Sequence, residues 1–357
     1  MDTADYLYKS KIYQAVSNYR ISKRNIKATN KLISSHITRQ QADEVKAYYG
    51  SYVKVSTVFH DYYNEKKGKF DVRYIPDDVY FCHIDKFYNN WRAAPVIDNK
   101  CLYKALFPDV NQPELFAYRV NGFWFSGDNE RINQEKLLKE VAHQEELVVK
   151  EATGSAGGRG VSFVNNIDGD IAEAFKKCVA GIIGDIVVQI PIKQHAILNN
   201  LNPGSVNTIR ILTLLRENDV KICSIVLRVG SGKSRIDNLS SGGFCCGVYP
   251  NGRVKERAYT KSGETVTVHP ETGTIFGELT IPNVDKALKI VSDIHPRIPH
   301  FRLVSWDVAI GEDGEPILVE ANLRFGGVRV HQLANGPVFG DDTKNILDEV
   351  FQKTKSE

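Results

Sequence analysis

The sequence predicts an α+β chain, and three stretches carry the prediction. Residues 303–324, LVSWDVAIGEDGEPILVEANLR, read as two antiparallel strands joined at Asp313-Gly314, a pair suited to a type I′ hairpin turn. Residues 147–164 read as strand, glycine-rich loop and returning strand. Residues 1–97 are rich in Tyr and Lys and read as mostly helical, with a capping box at Thr38-Arg39-Gln40-Gln41, a stop at Gly50 and a second start at Pro76-Asp77-Asp78.

Composition narrows the classes. At 357 residues the chain can form two or three domains. A net charge of +3 is too small to argue for nucleic acid. No apolar run is long enough for a transmembrane helix, and the N-terminus reads as lacking a signal-peptide segment. The six cysteines contain no C-x-x-C pair and the nine histidines no H-E-x-x-H, so a reduced, cytoplasmic protein is expected. The basic N-terminal surface reads as a solvated helical face. An anionic polymer or membrane partner is the minority reading.

The 303–324 hairpin sorts its side chains by chemistry. With the turn at Asp313-Gly314, Asp307 falls opposite Glu320, and alternation separates two faces. Val304, Trp306, Val308, Ile310, Ile317, Val319, Ala321 and Leu323 form the apolar face, whereas Asp307, Glu320, Asn322 and Arg324 share the other. Directly opposed carboxylates repel, and a cation between them removes the conflict. Oxygen donors of this kind suit Mg²⁺, which favours a few carboxylates plus substrate phosphates. A solvated hairpin face is the competing reading.

In chain order, Asp98 is expected to cap a helix reaching Phe107. Asn121-Gly122 marks a hairpin, and 135–146 a helix. The loop after Lys150, EATGSAGGRG, carries Gly154, Gly157, Gly158 and Gly160. Glycines let backbone N–H groups close on an anion, and Lys150 adds a point charge. The loop is neither a Walker A motif nor a dinucleotide fingerprint, and taken alone it suits a structural loop as well as a phosphate flap. Asp168 or Asp170 caps a helix to about Val179, and 186–192 is a buried strand interrupted by Pro191. Strands over 206–215 and 221–229 present Arg210 and Arg228 in apolar surroundings, which favours an ion pair or an anion site over surface placement. The glycine/serine loop 231–243 reads as functional. A strand pair is expected over 266–279, a helix capped by Asn283 before His295, and a last helix over 342–353.

Together these parts resemble the ATP-grasp superfamily. The matching elements are Lys100 in an Asp-Asn-Lys start, Val149-Lys150 with the glycine flap, the 187–192 strand, and Asp307 with Glu320-Ala321-Asn322-Leu323-Arg324. NPGSVNTIRILTL, RVGSGKSRIDNLSSGG and EANLRFGGVRVHQLANGP are similar, more narrowly, to sugar-transfer-associated ATP-grasp proteins, a group linked to polysaccharide biosynthesis. The sequence departs from the common pattern at Glu151, Gln189 and Leu323.

The resemblance implies a nucleotide held between a small glycine-flap subdomain (98–192) and a larger antiparallel-sheet subdomain (193–357), behind the helical region 1–97. It implies ATP phosphates at Lys100, Lys150 and the flap (Gly154, Ser155, Gly157, Gly158, Gly160). Adenine falls at Ile190 and Ile192 beside Gln189, and one or two Mg²⁺ ions at Asp307, Glu320 and Asn322. Arg210, Arg228 and Arg324 are left for a substrate carboxylate or the oxyanion of the intermediate. The implied reaction is an ADP-forming ligation of a small-molecule carboxylate, such as a sugar acid, to an amine. A kinase on the same scaffold and a nucleotide-binding module without catalysis are the alternatives, and the intact Asp307/Glu320/Asn322 set argues against the module.

Overall fold

A computed structural model describes residues 11–154, 160–166, 169–232 and 234–356. Two antiparallel sheets organise them. The smaller runs β3-β2-β1-β6-β4-β5, and the larger β11-β10-β9-β8-β7-β12-β13. The first uses β1 (Leu115–Val120), β2 (Phe123–Ser126), β3 (Arg131–Ile132), β4 (Glu146–Glu151), β5 (Val161–Asn165) and β6 (Ile186–Gln189). The second uses β7 (Thr208–Leu215), β8 (Val220–Val229), β9 (Phe244–Val248), β10 (Val254–Tyr259), β11 (Thr265–Val266), β12 (Leu303–Ile310) and β13 (Pro316–Asn322). The nine helices labelled here are α1 (Lys11–Asn30), α2 (Arg39–Gly50), α3 (Val58–Lys67), α4 (Gln134–Val141), α5 (Ile171–Ala180), α6 (Ala196–Leu201), α7 (Val284–Ile294), α8 (Arg329–Asn335) and α9 (Thr343–Ser356).

Local chemistry explains the ends of these elements. Thr38 and Gln41 form the expected capping box of α2. Asn121 and Gly122 both lie at positive φ, as the β1–β2 turn requires. Asp170 caps α5 by accepting from Ala172 and Glu173.

The smaller sheet packs Ala117, Val149, Val188 and their neighbours against α4 and α5. The larger sheet has two covered faces. Ile209, Ile211, Leu227 and Trp306 meet α7 together with Tyr103 and Phe107. On the opposite face Leu212, Leu214 and Leu303 pack with Val45, Tyr49 and Ile75 from the N-terminal helices and Leu347 from α9. Val226, Cys245 and Tyr259 pack there with Phe59, Tyr62 and Tyr63. The N-terminal helices therefore share cores with the larger sheet and cover part of the face that carries Arg210 and Asp307.

Several expectations are corrected. The strand pair lies at 244–259, and 266–279 holds only the end of β11, an isolated bridge and a short 3₁₀ turn. Cys245 and Cys246, read only as cysteines, are the buried centre of β9. Asp98 does not start the helix towards Phe107 but ends the short helix Ala94–Ile97 as its C-cap; Asn99 caps a short 3₁₀ turn instead, through the Cys101 N–H. The 135–146 helix stops at Val141 because Glu146 opens β4. Asn283 sits at φ 53 and donates its amide to the Gly314 carbonyl, so it ties α7 to the hairpin turn rather than capping α7 by its side chain.

The β12–β13 hairpin departs from its expected register at one point. Of the two turn residues only Gly314 takes positive φ, and Gly311 N–H bonds Glu315 O. The loop is thus longer than two residues, and Ile310 pairs Pro316. A bulge between Asp307 and Val308 restores the expected pairing beyond it, with Asp307 opposite Glu320 and Ser305 opposite Asn322. The extra residue is Val319. Leu318, not Val319 or Ile317, packs in the core beside Val308, and Val319 is turned to the cleft described next.

Candidate active site

A cleft of about 910 Å³ runs between the two sheets, within the size range of small-molecule sites. It gathers Lys100, Lys150, Gly154, Gln189, Ile190, Ile192, Arg210, Arg228, Arg324, Asp307, Glu320 and Asn322. Of the residues expected at the site, Gly160 lies outside this lining with φ 75, while Ser155, Gly157 and Gly158 fall outside the described residues.

On the small-sheet side, Lys150 leaves β4 and donates to Gln189 Oε1 at 2.8 Å. Burial, with help from the charge on Lys100, lowers the Lys150 ammonium to about 8. Lys100 bridges the two sheets. Its N–H bonds the Ala152 carbonyl at 2.9 Å, and its Nζ lies 3.1 Å from Glu320 Oε1. Ile190 N–H donates to the Glu114 carbonyl, so a base contact at Ile190 would fall to its carbonyl oxygen.

The large-sheet side is a row of charges set by strand register. Arg210 on β7 lies opposite Asp307 on β12, which lies opposite Glu320 on β13. Arg210 grips Asp307 with two bonds of 2.7 Å, from Nε to Oδ1 and from Nη2 to Oδ2. Arg228 Nη1 adds 2.9 Å to Oδ2, and Asn322 Nδ2 adds 3.2 Å. Burial alone would raise the Asp307 carboxyl, but Arg210 and Arg228 overcome it and hold the group far below the usual range. The expected repulsion between Asp307 and Glu320 is therefore absent from this arrangement. Two guanidinium groups neutralise one carboxylate, and Lys100 pairs with the other.

Four residues at the site were not read from the sequence. Asp237 is buried; it accepts from Arg228 Nη2 at 2.9 Å and from the backbone and hydroxyl of Thr208. Its carboxyl is raised by burial. Arg235, two residues earlier, crosses to the smaller sheet, stacks 3.7 Å over the Phe163 ring and pairs with Glu146 at 2.5 and 2.8 Å. Both lie in the 231–243 loop, whose functional reading rested on length and composition. Asp98, expected as a cap, lines the cleft instead, with burial raising its carboxyl to about 6. Phe325 lies at the end of the cleft at φ 58, where a non-glycine residue carries strain of about 1–3 kcal/mol. Its neighbours Gly326 and Gly327 gave the only available signal of a tight turn.

Oxygen donors for Mg²⁺ are present. Asn322 commits its amide N–H groups to Ser305 O and Asp307, which leaves its carbonyl oxygen as the ligand atom. The Glu320 side chain is 23% exposed, whereas that of Asp307 is 5% exposed. Among the described residues no three His, Cys, Asp or Glu side chains form a metal cluster. The set therefore fits an ion that takes its remaining ligands from phosphate and water.

A cleft between a small and a large antiparallel sheet, with lysines on one wall and carboxylates on the other, defines the architectural class. The chain belongs to the sugar-transfer associated ATP-grasp family, whose model matches residues 83–348, and its fold is the ATP-grasp fold. Solved structures with similarity include N5-carboxyaminoimidazole synthase from Aspergillus clavatus (13% identity, TM-score 0.38, covering 66% of this chain and 47% of that one). D-alanyl-alanine synthetase A from Vibrio cholerae O1 biovar eltor strain N16961 matches at 16% identity and TM-score 0.41, over 73% of this chain and 66% of that one. An L-amino acid ligase from Bacillus licheniformis matches at 16% and 0.37, over 71% and 48%. The chain thus spans about half the length of the first and third. No curated protein matches. Among the described residues no helix is long and apolar enough to cross a membrane.

Proposed function

We propose that the protein is an ATP-dependent, ADP-forming carboxylate–amine ligase that acts through an acylphosphate, on a sugar acid or glycan precursor in polysaccharide biosynthesis such as capsule assembly. The observation that carries this reading is a single cleft with two separate cationic sets, Lys100 and Lys150 on one wall and Arg324 on the other, beside Arg210 and Arg228, which Asp307 and Asp237 hold in place. One set suits a polyphosphate and the other a substrate carboxylate.

In this reading a carboxylate oxygen of the acid attacks the γ-phosphorus. The bond to the β,γ-bridging oxygen breaks and ADP leaves. An amine then attacks the acyl carbon, the acyl–oxygen bond breaks, inorganic phosphate departs and the amine loses a proton. Lys100 and Lys150 offset charge on the phosphates, and the arginines stabilise oxygen atoms that gain negative charge. Glu320 and Asn322, with Asp307 behind them, would hold Mg²⁺, whose contribution is to neutralise phosphate charge.

The test is nucleotide and phosphate analysis of turnover with candidate sugar acids, with and without amines. ADP and free phosphate that both require acid and amine are expected. AMP and pyrophosphate overturn the mechanism, and phosphate retained on an alcohol of the substrate makes the protein a kinase.

A further inference from the structure

Among the described residues four non-glycine residues take positive φ: Asn121, Asn129, Asn283 and Phe325. Asparagine tolerates that region and phenylalanine does not. Phe325 is also 55% exposed, so burial does not account for its presence. Glycine would satisfy this backbone, and the next two residues are glycines. A phenyl ring kept at such a position is retained for what the ring does.

The surroundings fix that ring in place. Its backbone N–H donates at 3.1 Å to Oδ2 of Asp85, a buried carboxylate of the helical stretch 77–88. The other oxygen of Asp85 accepts from Asn89 at 2.8 Å, and Asn89 bonds both backbone groups of Leu303 on β12. One side of the ring rests near Trp91, with centroids 4.6 Å apart, and Phe81 lies at 6.0 Å. The exposed remainder lines the cleft next to Arg324, and the Arg324 charge in turn acts on Asp98. An apolar plate, a guanidinium and a carboxyl thus line the same cleft.

We propose that Phe325 is the stacking platform for the acid substrate, and that this substrate is a pyranose bearing a carboxylate. The C–H face of the sugar lies on the phenyl ring, Arg324 pairs with the carboxylate, and Asp98 accepts from ring hydroxyls. A simple aliphatic acid would leave Asp98 without a partner from the ligand, and an acid with no ring would leave the plate bare. Asp85 is a positioning residue that holds the platform through the backbone. This inference rests on the ligase reading above and deepens it.

The test compares wild type with Phe325→Gly and Phe325→Tyr, using glucuronate, cyclohexanecarboxylate and acetate as acids, each with ammonium as a fixed amine, and ADP release as the signal. Glucuronate is expected to have the lowest KM in the wild type. Phe325→Gly should raise that KM about tenfold, the upper range for one aromatic contact, and Phe325→Tyr should restore it. The KM for ATP should stay unchanged. The melting temperature of Phe325→Gly should not fall, because glycine accepts the backbone that phenylalanine strains. A merely structural ring would lower stability and leave the glucuronate KM alone, which overturns the proposal. It is also overturned if acetate equals glucuronate, or if the ATP KM moves instead. Should no acid support ADP formation, the ligase reading fails by itself. Saturation-transfer NMR of glucuronate then decides the platform: a signal lost in Phe325→Gly supports it, and none in either protein overturns it.

Discussion

Lys150 shows how one side chain couples the cleft to its ligand. With its ammonium lowered to about 8 by burial and by Lys100, the folded protein holds that proton less tightly than the unfolded chain, whose lysine titrates near ~10.4. Between those values the unfolded state binds more protons, so the lysine's contribution makes stability rise with pH there; below about 8 the full penalty persists. A bound polyphosphate needs the charged form. ATP affinity is therefore expected to fall above pH 8, approaching about tenfold per unit, and to lose that dependence in Lys150→Met. The same variant should melt higher than wild type at neutral pH without nucleotide. Isothermal titration from pH 7 to 9.5 checks the first outcome and calorimetry the second.

Asp307 and Glu320 face each other, yet their substitutions should differ in kind. Asp307 is buried and satisfies Arg210 and Arg228 together. Asp307→Asn leaves two buried guanidinium groups short of charge and is expected to cost about 3–5 kcal/mol. Glu320 is partly exposed and, among the described residues, forms its ion pair with Lys100. Glu320→Gln leaves the buried Lys100 ammonium a neutral amide oxygen in place of a carboxylate, so it should cost less than Asp307→Asn, about 1.5–3 kcal/mol, and still abolish turnover. Urea unfolding of both variants, with ADP release measured on Glu320→Gln, tests the pair; equal destabilisation would contradict the unequal roles. The opposition of these two carboxylates was legible in the strand pattern. The arginines on Asp307 were not, because cross-sheet neighbours depend on how β7 and β12 pair.

At the scale of elements, the sequence made visible what is local. Capping at Thr38, the Asn121-Gly122 turn and the β7–β8 hairpin follow from short-range chemistry. The β-bulge that moves Val319 from core to cleft did not show, since a bulge leaves the hydrophobic alternation of ILVEANL nearly intact. Strands β9 and β10 were missed because polar residues such as Lys255 and Glu256 interrupt the second of them, and its position in the sheet, not its pattern, fixes it. The 231–243 loop also acts as an element. Arg235 ties it to β4 and β5, and Asp237 ties it to Arg228. Arg235→Ala should therefore loosen the smaller sheet against the larger. The expected outcome is a several-fold higher KM for ATP and faster amide exchange in β5, with exchange in β12 unchanged. Unaltered exchange in β5 would mean that the loop merely lies across the gap.

Across the whole molecule, the helical character of the first 97 residues was legible but their place was not, since nothing local says that Tyr49 meets Leu214. Those residues complete the larger sheet. Tyr52 bonds Asp348 across 296 positions, Arg329 bonds Thr29 across 300, and Tyr88 bonds Glu349 across 261. The helical region 11–97 thus has partners in α8 and α9, far along the sequence. Tyr49, Tyr80 and Leu214 share one core with Ile346 and Leu347 of α9, and pairings this distant in sequence form slowly. Loss of α9 would strip Ile346, Leu347, Val350 and Phe351 from that core and uncover the apolar side chains they shield, so a copy without α9 is a substrate for chaperones and proteases rather than a slightly shorter protein.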